Sequence, residues 1–440
     1  MGYIMNNVNR RQVIAATGGT ALATALAGCS SLLQSDDAGE GSGEVADVPD
    51  EPVEGFFQLF LEGSFADTGL MMRYGAEEAV ERINENGGVG GRQLNVEFVH
   101  EGGSQQSNYQ NFVEQGADVT FGPISSGGAA SMAPVVEEEG VINVVANGVT
   151  PTLFEETLPD PEYMFRFSPN LIQEVVGLAR DTVNELGADN INTIAGINPN
   201  YAYGQNAQRA FVTVMQTLTG AEVVHEGFPD LGASDLSSHI SSVNNEEPDI
   251  LFTSQFGADL SLLLDQGQGQ GLFDNIGLLA ASAGATLTNQ GSEGAVDSGE
   301  ILATSRNWYF DNPPLGQWSP GQEFFDSIQS KHDVVPTQDA MSGYGTVALW
   351  ATAADKAVQV LGRWPSQEEI ASFMEGHGFF IPQGHVVCNK NHQCKHNTVT
   401  GKLAWQDEHD VVGLDEVSIY SDAQATAPPG QNTFDWLDSW

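Results

Sequence analysis

Basic residues are scarce in this chain of 440 residues, which has 15 Lys+Arg against 59 Asp+Glu and a formal net charge of −44. Because a nucleic-acid backbone or an anionic membrane surface attracts a basic face, the scarcity argues against both as electrostatic partners. The charge is typical of a halophilic surface, since the Debye length falls to about 3 Å in 1 M salt and self-repulsion is then screened. Hydrophobic residues at 40% and 22 Phe still provide enough apolar surface for a folded core.

Catalytic signatures are also absent. The sequence contains no Gly-x-Ser-x-Gly, His-Glu-x-x-His or Gly-x-x-x-x-Gly-Lys-Ser/Thr motif. Pairs of carboxylates carry little information in so acidic a chain. We therefore expect a protein that is not an enzyme and that uses no cofactor or metal.

No hydrophobic run reaches the roughly 20 residues that a membrane-spanning helix needs. Near the N-terminus, Arg10 and Arg11 stand before a short, weakly apolar stretch that ends in Leu26-Ala27-Gly28-Cys29, a pattern that resembles a lipobox. We interpret residues 1–28 as a twin-arginine lipoprotein signal peptide and expect Cys29 to carry the lipid. Residues 29–53 are acidic and rich in Gly, Ser and Pro, which predicts a disordered tether. The expected location is the extracytoplasmic face of the cell membrane, with the lipid as the only membrane contact.

The rest of the chain alternates between helical and strand patterns. Ala76, Ala79 and Ile83 lie on one helical face, and segments such as Leu94–Phe98 and Val141–Ala146 have the apolar pattern of strands. Such alternation predicts an α/β fold of parallel sheets covered by helices, and its length favours two doubly wound lobes. Ligands of these sheets bind outside the carboxyl ends of the strands, so two facing lobes would enclose a cleft.

Several runs resemble one family in the order in which that family has them. They are Gly75–Leu94 (GAEEAVERINENGGVGGRQL), Phe121–Ser126 (FGPISS), Asn200–Gly204 (NYAYG), Gly232–Ser237 (GASDLS) and Phe379–Val386 (FFIPQGHV). These runs resemble the type I periplasmic binding proteins of ABC importers, in the branch that serves branched-chain amino acids, amides and urea. The resemblance implies two lobes joined by a three-strand hinge, a Venus-flytrap that closes on a small solute and docks on a membrane permease.

The resemblance also implies a domain organisation. Lobe 1 would hold residues 54–168 and 298–375, lobe 2 would hold 169–297 and 376–425, and a tail would cover 426–440. We expect a monomer that delivers its solute to an ABC permease. A surface sensor of the same fold and an exported amidohydrolase are the alternative functions.

The candidate ligand contacts of lobe 1 follow two strands. A small-residue loop leads into a helix, whose first N–H groups attract carboxylate or carbonyl oxygens, and the family's ligand-binding serine falls on Ser126. A plain helix cap is the alternative interpretation of both serines. In the next loop the resemblance implies a hydroxyl and an amide contact at Val149 or Thr150, with an ordinary turn as the alternative. The lobe 1 candidates are Ser125, Ser126, Gly127, Asn147, Gly148, Val149 and Thr150.

Aromatic residues dominate the candidates of lobe 2. Tyr201 and Tyr203 offer an apolar ring with a polar tip, although packing between loops is the alternative, and Phe256 stands where relatives carry an aromatic lid. Amino acid binders usually place a Glu after a later strand to pair with the ligand ammonium. Here that stretch contains Ser282, itself a candidate contact, and no acid between Ala281 and Gly284. The absence favours a neutral amide or urea-like solute, because an unpaired buried ammonium is costly. Asp259 is the alternative partner for an ammonium, although nothing in the sequence fixes the direction of its side chain.

Two cysteines remain besides Cys29. Cys388 and Cys394 are six positions apart, and in an exported protein such a pair most often forms a disulfide. A zinc site with His385, His392 and His396 and a pair of free thiols are the alternatives. In each case the element is expected to be structural.

Overall fold

The computed structural model describes residues 48–439, except 64, 292, 297, 298, 311–318 and 429. The interpreted signal peptide, Cys29 and the tether as far as residue 47 lie outside the described residues. Within the described ranges, no helix has both the length and the apolar character needed to cross a membrane.

The first sheet has five parallel strands. The order of the strands across this sheet differs from their order in the chain, because the first strand pairs with both the second and the third. The elements in this part are β1 (Val53–Leu59), α1 (Ala66–Glu85), β2 (Leu94–His100), α2 (Gln105–Glu114), β3 (Val119–Phe121), α3 (Ser126–Glu139), β4 (Asn143–Val145) and β5 (Met164–Arg166). Across the sheet the strands run β2-β1-β3-β4-β5. The three short strands β3, β4 and β5 are fully buried, as expected when helices cover both faces.

The second sheet repeats the strand–helix alternation. Its first five strands pair in parallel in the order β7-β6-β8-β9-β10. The elements here are α4 (Leu171–Leu186), β6 (Thr193–Ile197), α5 (Ala202–Thr219), β7 (Glu222–Gly227), α6 (Ser237–Glu246), β8 (Ile250–Thr253), α7 (Gly257–Gly269), β9 (Leu278–Ala281), α8 (Glu293–Val296) and β10 (Ile301–Ser305).

The last third of the chain packs on the core of the first sheet and adds strands to the second. Its first elements pack on the core of the first sheet, through side chains such as Phe324, Trp350 and Ile370. They are α9 (Ser319–His332), α10 (Gln338–Leu361), α11 (Gln367–Met374), β11 (Gly378–Ile381), β12 (Gly384–Cys388) and β13 (Cys394–Lys395), with the three strands forming a small sheet of their own. The remaining elements are β14 (Thr398–Gln406), β15 (Val411–Tyr420), α12 (Asp422–Ala425) and α13 (Thr433–Leu437), and β14 pairs antiparallel with β10.

Helices α1 and α10 lie in very close contact. A Cβ atom on Gly75 would lie 1.7 Å from the carbonyl oxygen of Ala340, and one on Gly343 would lie 1.9 Å from that of Met72. Each helix therefore needs glycine where the other's backbone passes. This contact fixes the start of α10, which borders the site described below.

The α/β fold class with parallel sheets covered by helices is confirmed. Two of the lobe limits expected from the sequence differ from the structure. Residues from 298 onward were expected in lobe 1, but β10 pairs with β9 and β14 in the second sheet. In the same way Phe379 and Val386, from the small sheet, are buried in the first core. The chain thus changes sheet after β5, after β10 and after β13, and the limits at 298 and 376 precede the last two changes.

Candidate functional site

A cavity lies where strands of both sheets end. Its volume is about 170 Å³, below the roughly 300–1,000 Å³ of pockets for drug-sized ligands, which suits a small solute. Nine of the eleven expected ligand contacts line it, whereas Thr150 and Ser282 do not. Their role as ligand contacts stays a prediction. The lining residues are Phe60, Thr68, Ile124, Ser125, Ser126, Gly127, Asn147, Gly148, Val149, Tyr201, Tyr203, Leu231, Phe256, Thr286, Arg306 and Asp339.

The loop before α3 is hydrogen-bonded to a buried acid, Glu101, that the sequence analysis missed. The carboxylate of Glu101, directly after β2, accepts hydrogen bonds from the backbone N–H groups of Ile124 (2.7 Å) and Ser125 (2.9 Å). It also accepts the hydroxyl of Ser125, whose oxygen in turn caps α3 by accepting from the Gly128 N–H (3.2 Å). Ser125 is therefore engaged in the helix cap, and two of the loop amides that were expected to be free are already bound.

Two amides of the loop stay open to the cavity. The N–H groups of Ser126 and Gly127 and the hydroxyl of Ser126 have no hydrogen-bond partner among the described residues. They belong to the first turn of α3, where backbone donors lack partners within the helix and the helix dipole is positive. Such a group of donors has the chemistry to bind one carboxylate or carbonyl group.

Glu101 is fully buried, and burial raises its pKa to about 7, although the donors from Ser125 and Ile124 act in the opposite direction. Its position directly after a strand, at the same sheet edge as the serine loop, is the signal that could have identified it. In a chain with 59 acids that signal is weak.

Aromatic rings form the wall on the side of the second sheet. Tyr201 and Tyr203 have their ring centroids 5.9 Å apart, and Tyr203 meets Phe256 edge-on at 6.0 Å. Phe256 also contacts Phe65, from the start of α1, at 4.8 Å. Burial raises the pKa of Tyr203 to about 12, so the phenol stays neutral. Ring contacts thus connect this aromatic wall to the start of α1.

Arg306, directly after β10, joins the two sides. Its Nε–H donates to Glu174 of α4 (2.6 Å), and its Nη1 donates to the side-chain oxygen of Asn147 from the β4 loop. Although burial alone would lower it, the negative charge of Glu174 raises the pKa of Arg306. The Asn147 side chain, expected to touch the solute, is thereby occupied with Arg306.

The rest of the β4 loop is held by a second buried arginine. Nη1 of Arg166 donates to the backbone carbonyls of Gly148 (2.5 Å) and Thr150 (2.7 Å). The Val149 carbonyl accepts from the N–H of Leu171, at the start of α4. The loop is therefore a well-bonded turn that places Gly148 and Val149 at the cavity and keeps Thr150 behind it.

Asp339 was also missed by the sequence analysis. It lies in the first turn of α10, is 3% exposed, and lines the cavity together with Ser126 and Tyr203. Burial raises its pKa to about 6, against the opposing charge of Arg306. The segment Thr337–Asp339 has the sequence of an ordinary helix cap, and nothing in it indicates a cavity.

The cysteine pair lies away from the cavity. Cys388 and Cys394 are directly opposite each other on β12 and β13, both buried, and the structure has them as free thiols. The disulfide stays a prediction. Two of the histidines considered for zinc are engaged elsewhere, since His392 contacts the Met164 carbonyl and His396 the Phe167 carbonyl. No group of three or more metal-ligating side chains occurs in the part of the chain that the structure describes.

Comparison with known proteins adds three findings. Residues 59–405 match a family model described as "Periplasmic binding protein". Leu/Ile/Val-binding protein homolog 4 of Brucella abortus is 26% identical over 268 residues, and the match covers 58% of this chain but only 62% of that relative. The chain thus spans less than two thirds of the length of the first curated relatives that it matches.

Solved structures share the fold at low identity. A solute-binding protein of an ABC transporter from Rhodopseudomonas palustris, in complex with 3,4-dihydroxybenzoic acid, has a TM-score of 0.72 at 18% identity, covering 87% of this chain and 99% of its own. A branched-chain amino acid transporter substrate-binding protein from Streptococcus pneumoniae, in complex with isoleucine, has a TM-score of 0.68 at 17% identity, covering 84% of this chain and 99% of its own. At such identities the likeness shows the fold alone.

Proposed function

The chain belongs to the periplasmic binding protein family, and from that premise we propose that it captures a small carboxylate-bearing solute in the cavity between its two sheets. The solute is then delivered to the permease of an ABC importer. The protein acts as a monomer outside the cytoplasmic membrane, tethered through a lipid on Cys29. It binds its solute without transforming it.

The observation that carries the proposal is the pair of unengaged amides at the start of α3. The N–H groups of Ser126 and Gly127, with the Ser126 hydroxyl, offer three donors at a positive helix end and face the cavity. A carboxylate has the negative charge and the lone pairs that such a group of donors binds best. A urea or a neutral amide would use the donors without the charge, so we rank it below a carboxylate.

The opposite wall supports an apolar substituent on the solute. Tyr201, Tyr203, Phe256 and Leu231 line that wall, and rings of this kind bind hydrocarbon or aromatic groups by contact area. Isoleucine and 3,4-dihydroxybenzoic acid, the ligands of two structural relatives, each combine a carboxylate with an apolar body. The proposed solute has the same two parts.

The proposal is tested by titration calorimetry on the full-length chain in concentrated KCl. Leucine, 4-hydroxybenzoate, urea and acetamide are compared, and at least one carboxylate is expected to bind more tightly than both neutral compounds. Ser126→Ala should weaken that carboxylate about tenfold or more, since a hydrogen bond to a charged group contributes about 1.5–3 kcal/mol.

The matched control is Ser131→Ala, on the same helix but exposed, with its hydroxyl on the Gly128 carbonyl. This variant should bind as the wild type does. Tighter binding of urea or acetamide than of every carboxylate, or equal affinity in the Ser126→Ala variant, would contradict the proposed carboxylate site.

A further inference from the structure

Asp339 is a buried acid whose charge has no direct partner. Its carboxylate accepts no hydrogen bond and forms no ion pair within the described part of the chain, although its backbone N–H bonds to the hydroxyl of Thr337. Buried carboxylates are normally paired or hydrogen-bonded, because desolvating an uncompensated charge is costly. A carboxylate left in this state beside a cavity indicates that the partner enters with the solute.

The charged and titratable groups around Asp339 come from three elements. Arg306 follows β10, Glu174 lies on α4 and Tyr203 lies on α5. Since Arg306 donates its Nε–H to Glu174 at 2.6 Å, these two opposite charges compensate each other. Tyr203 is a neutral phenol. Among these groups, the negative charge of Asp339 is therefore the one that no neighbouring positive charge compensates.

The remaining neighbours of Asp339 do not neutralise it either. Thr68 of α1 and Thr286 of the turn after β9 line the cavity beside it, and both are uncharged. Asp339, Thr68 and Thr286 also border a second cavity of about 190 Å³, whose other charged lining residue is the acid Asp67. The N-terminal position in α10 stabilises the ionised form through the helix dipole. Two processes can neutralise the site, namely protonation of Asp339 or arrival of a cation.

We propose that Asp339 binds a primary ammonium group of the solute, so that the site selects an amino acid over a simple carboxylate. This inference rests on the proposed function, because the amides of Ser126 and Gly127 must hold the carboxylate of the same molecule. It revises the sequence-based expectation of a neutral solute, which depended on the absence of an acid between Ala281 and Gly284. The acid is supplied by α10 instead.

The decisive experiment compares matched pairs of solutes that differ only in the ammonium group. Titration calorimetry on the full-length chain at pH 7.5 in concentrated KCl would use leucine against 4-methylpentanoate, and phenylalanine against 3-phenylpropanoate. The wild type is expected to bind the amino acid of a pair at least about a hundredfold more tightly. Asp339→Asn keeps the shape and removes the charge, and should reduce that ratio to about tenfold or less.

The matched control is Asp326→Asn, an exposed acid on α9 that should leave the ratio unchanged. Wild-type affinity for the amino acid should also fall as the pH is lowered through about 6, because protonation removes the charge that attracts the ammonium. The affinity for the simple carboxylate should not follow the same curve. This profile uses the wild type and so does not depend on whether the variant folds.

The outcomes separate the two claims. A wild type that binds the simple carboxylate as tightly as the amino acid overturns the role of Asp339 and leaves the carboxylate site intact. An unchanged ratio in a folded Asp339→Asn variant does the same. If the wild type binds no member of either pair but binds 4-hydroxybenzoate, this inference is overturned and the carboxylate site stands; if it binds none of these carboxylates, the proposed function and this inference are both contradicted.

Discussion

The two walls of the cavity are stabilised by different interactions, namely hydrogen bonds on one side and ring contacts on the other. On the side of the first sheet, the loop before α3 is bonded to Glu101 through three donors, and its remaining donors point at the cavity. On the side of the second sheet, Tyr203 and Phe256 contact each other through their rings. Hydrogen bonds depend on direction and on charge, whereas ring contacts depend on shape.

Because of this difference, we expect the two walls to play separate roles in binding the solute. The polar wall should decide which functional groups a solute needs and how it is oriented, while the aromatic wall should decide how large its apolar part is. Arg306 belongs to neither wall, but it contacts Glu174 on one side and Asn147 on the other. Arg306 is therefore one of the contacts that join the two walls, beside the ring contact between Phe65 and Phe256.

The largest expected effect follows from removing the guanidinium of Arg306. Arg306→Met keeps much of the side-chain volume but leaves Glu174 as an uncompensated buried charge, which typically costs about 3–5 kcal/mol. We expect this loss in the free energy of unfolding, measured by urea denaturation at constant KCl. The control is Arg73→Met, whose ion pair with Glu77 is about 40% exposed on both sides and should contribute only about 0.3–0.5 kcal/mol. Equal losses in the two variants would show that removing Arg306 does not leave Glu174 as an uncompensated buried charge.

The next largest effect concerns Glu101, the buried acid of the polar wall, and the pH dependence of the free energy of unfolding. Burial raises the pKa of folded Glu101 to about 7 from its ordinary value of 4.5. Between these values the folded chain holds a proton that the unfolded chain has released, so this group lowers the free energy of unfolding as the pH rises from about 4.5 to 7. Glu101→Gln cannot titrate, and the decline should become shallower by up to about 3 kcal/mol across the window, at 1.36 kcal/mol per pKa unit.

The measurement for Glu101 is the slope of unfolding free energy against pH, since Gln also alters the loop bonds at every pH. Glu138→Gln, an exposed substitution on α3, serves as the reference and should retain the wild-type slope. If Glu101→Gln retains it as well, the acid that holds the loop is not the one that titrates in this window.

The sequence predicted the parts of the site that are local. A strand followed by small residues and a helix start identified the loop of Ser125, Ser126 and Gly127, and the spacing of Tyr201 and Tyr203 identified the aromatic wall. These features depend on neighbours in the chain, and the α/β fold class follows from the same kind of local pattern.

The parts that the sequence did not reveal depend on contacts between distant segments. Arg306 and Glu174 are 132 positions apart, and Asp339 reaches the cavity only because α10 packs against α1. An acid among 59 gives no indication of burial until the fold is known. The same limitation explains why the absence of an acid after β9 led to the expectation of a neutral solute.

The smallest expected effect is a change in solute affinity when one wall at a time is weakened by substitution. Tyr203→Ala removes a buried ring from the aromatic wall, and its contact with the solute corresponds to at most about 1.5–3 kcal/mol for burial of an apolar side chain. The affinity for leucine and for 4-methylpentanoate should fall by the same factor, because the lost contact is with their common hydrocarbon part. Ser126→Ala should likewise weaken both, since both carry the carboxylate, but it should weaken a neutral amide of the same hydrocarbon chain less, because a hydrogen bond to a neutral carbonyl contributes less than one to a charged group. Calorimetry with leucine, 4-methylpentanoate and 4-methylpentanamide separates the two patterns. If Tyr203→Ala spared the amide, or if Ser126→Ala weakened it as much as the acid, the division of tasks between the walls would be wrong.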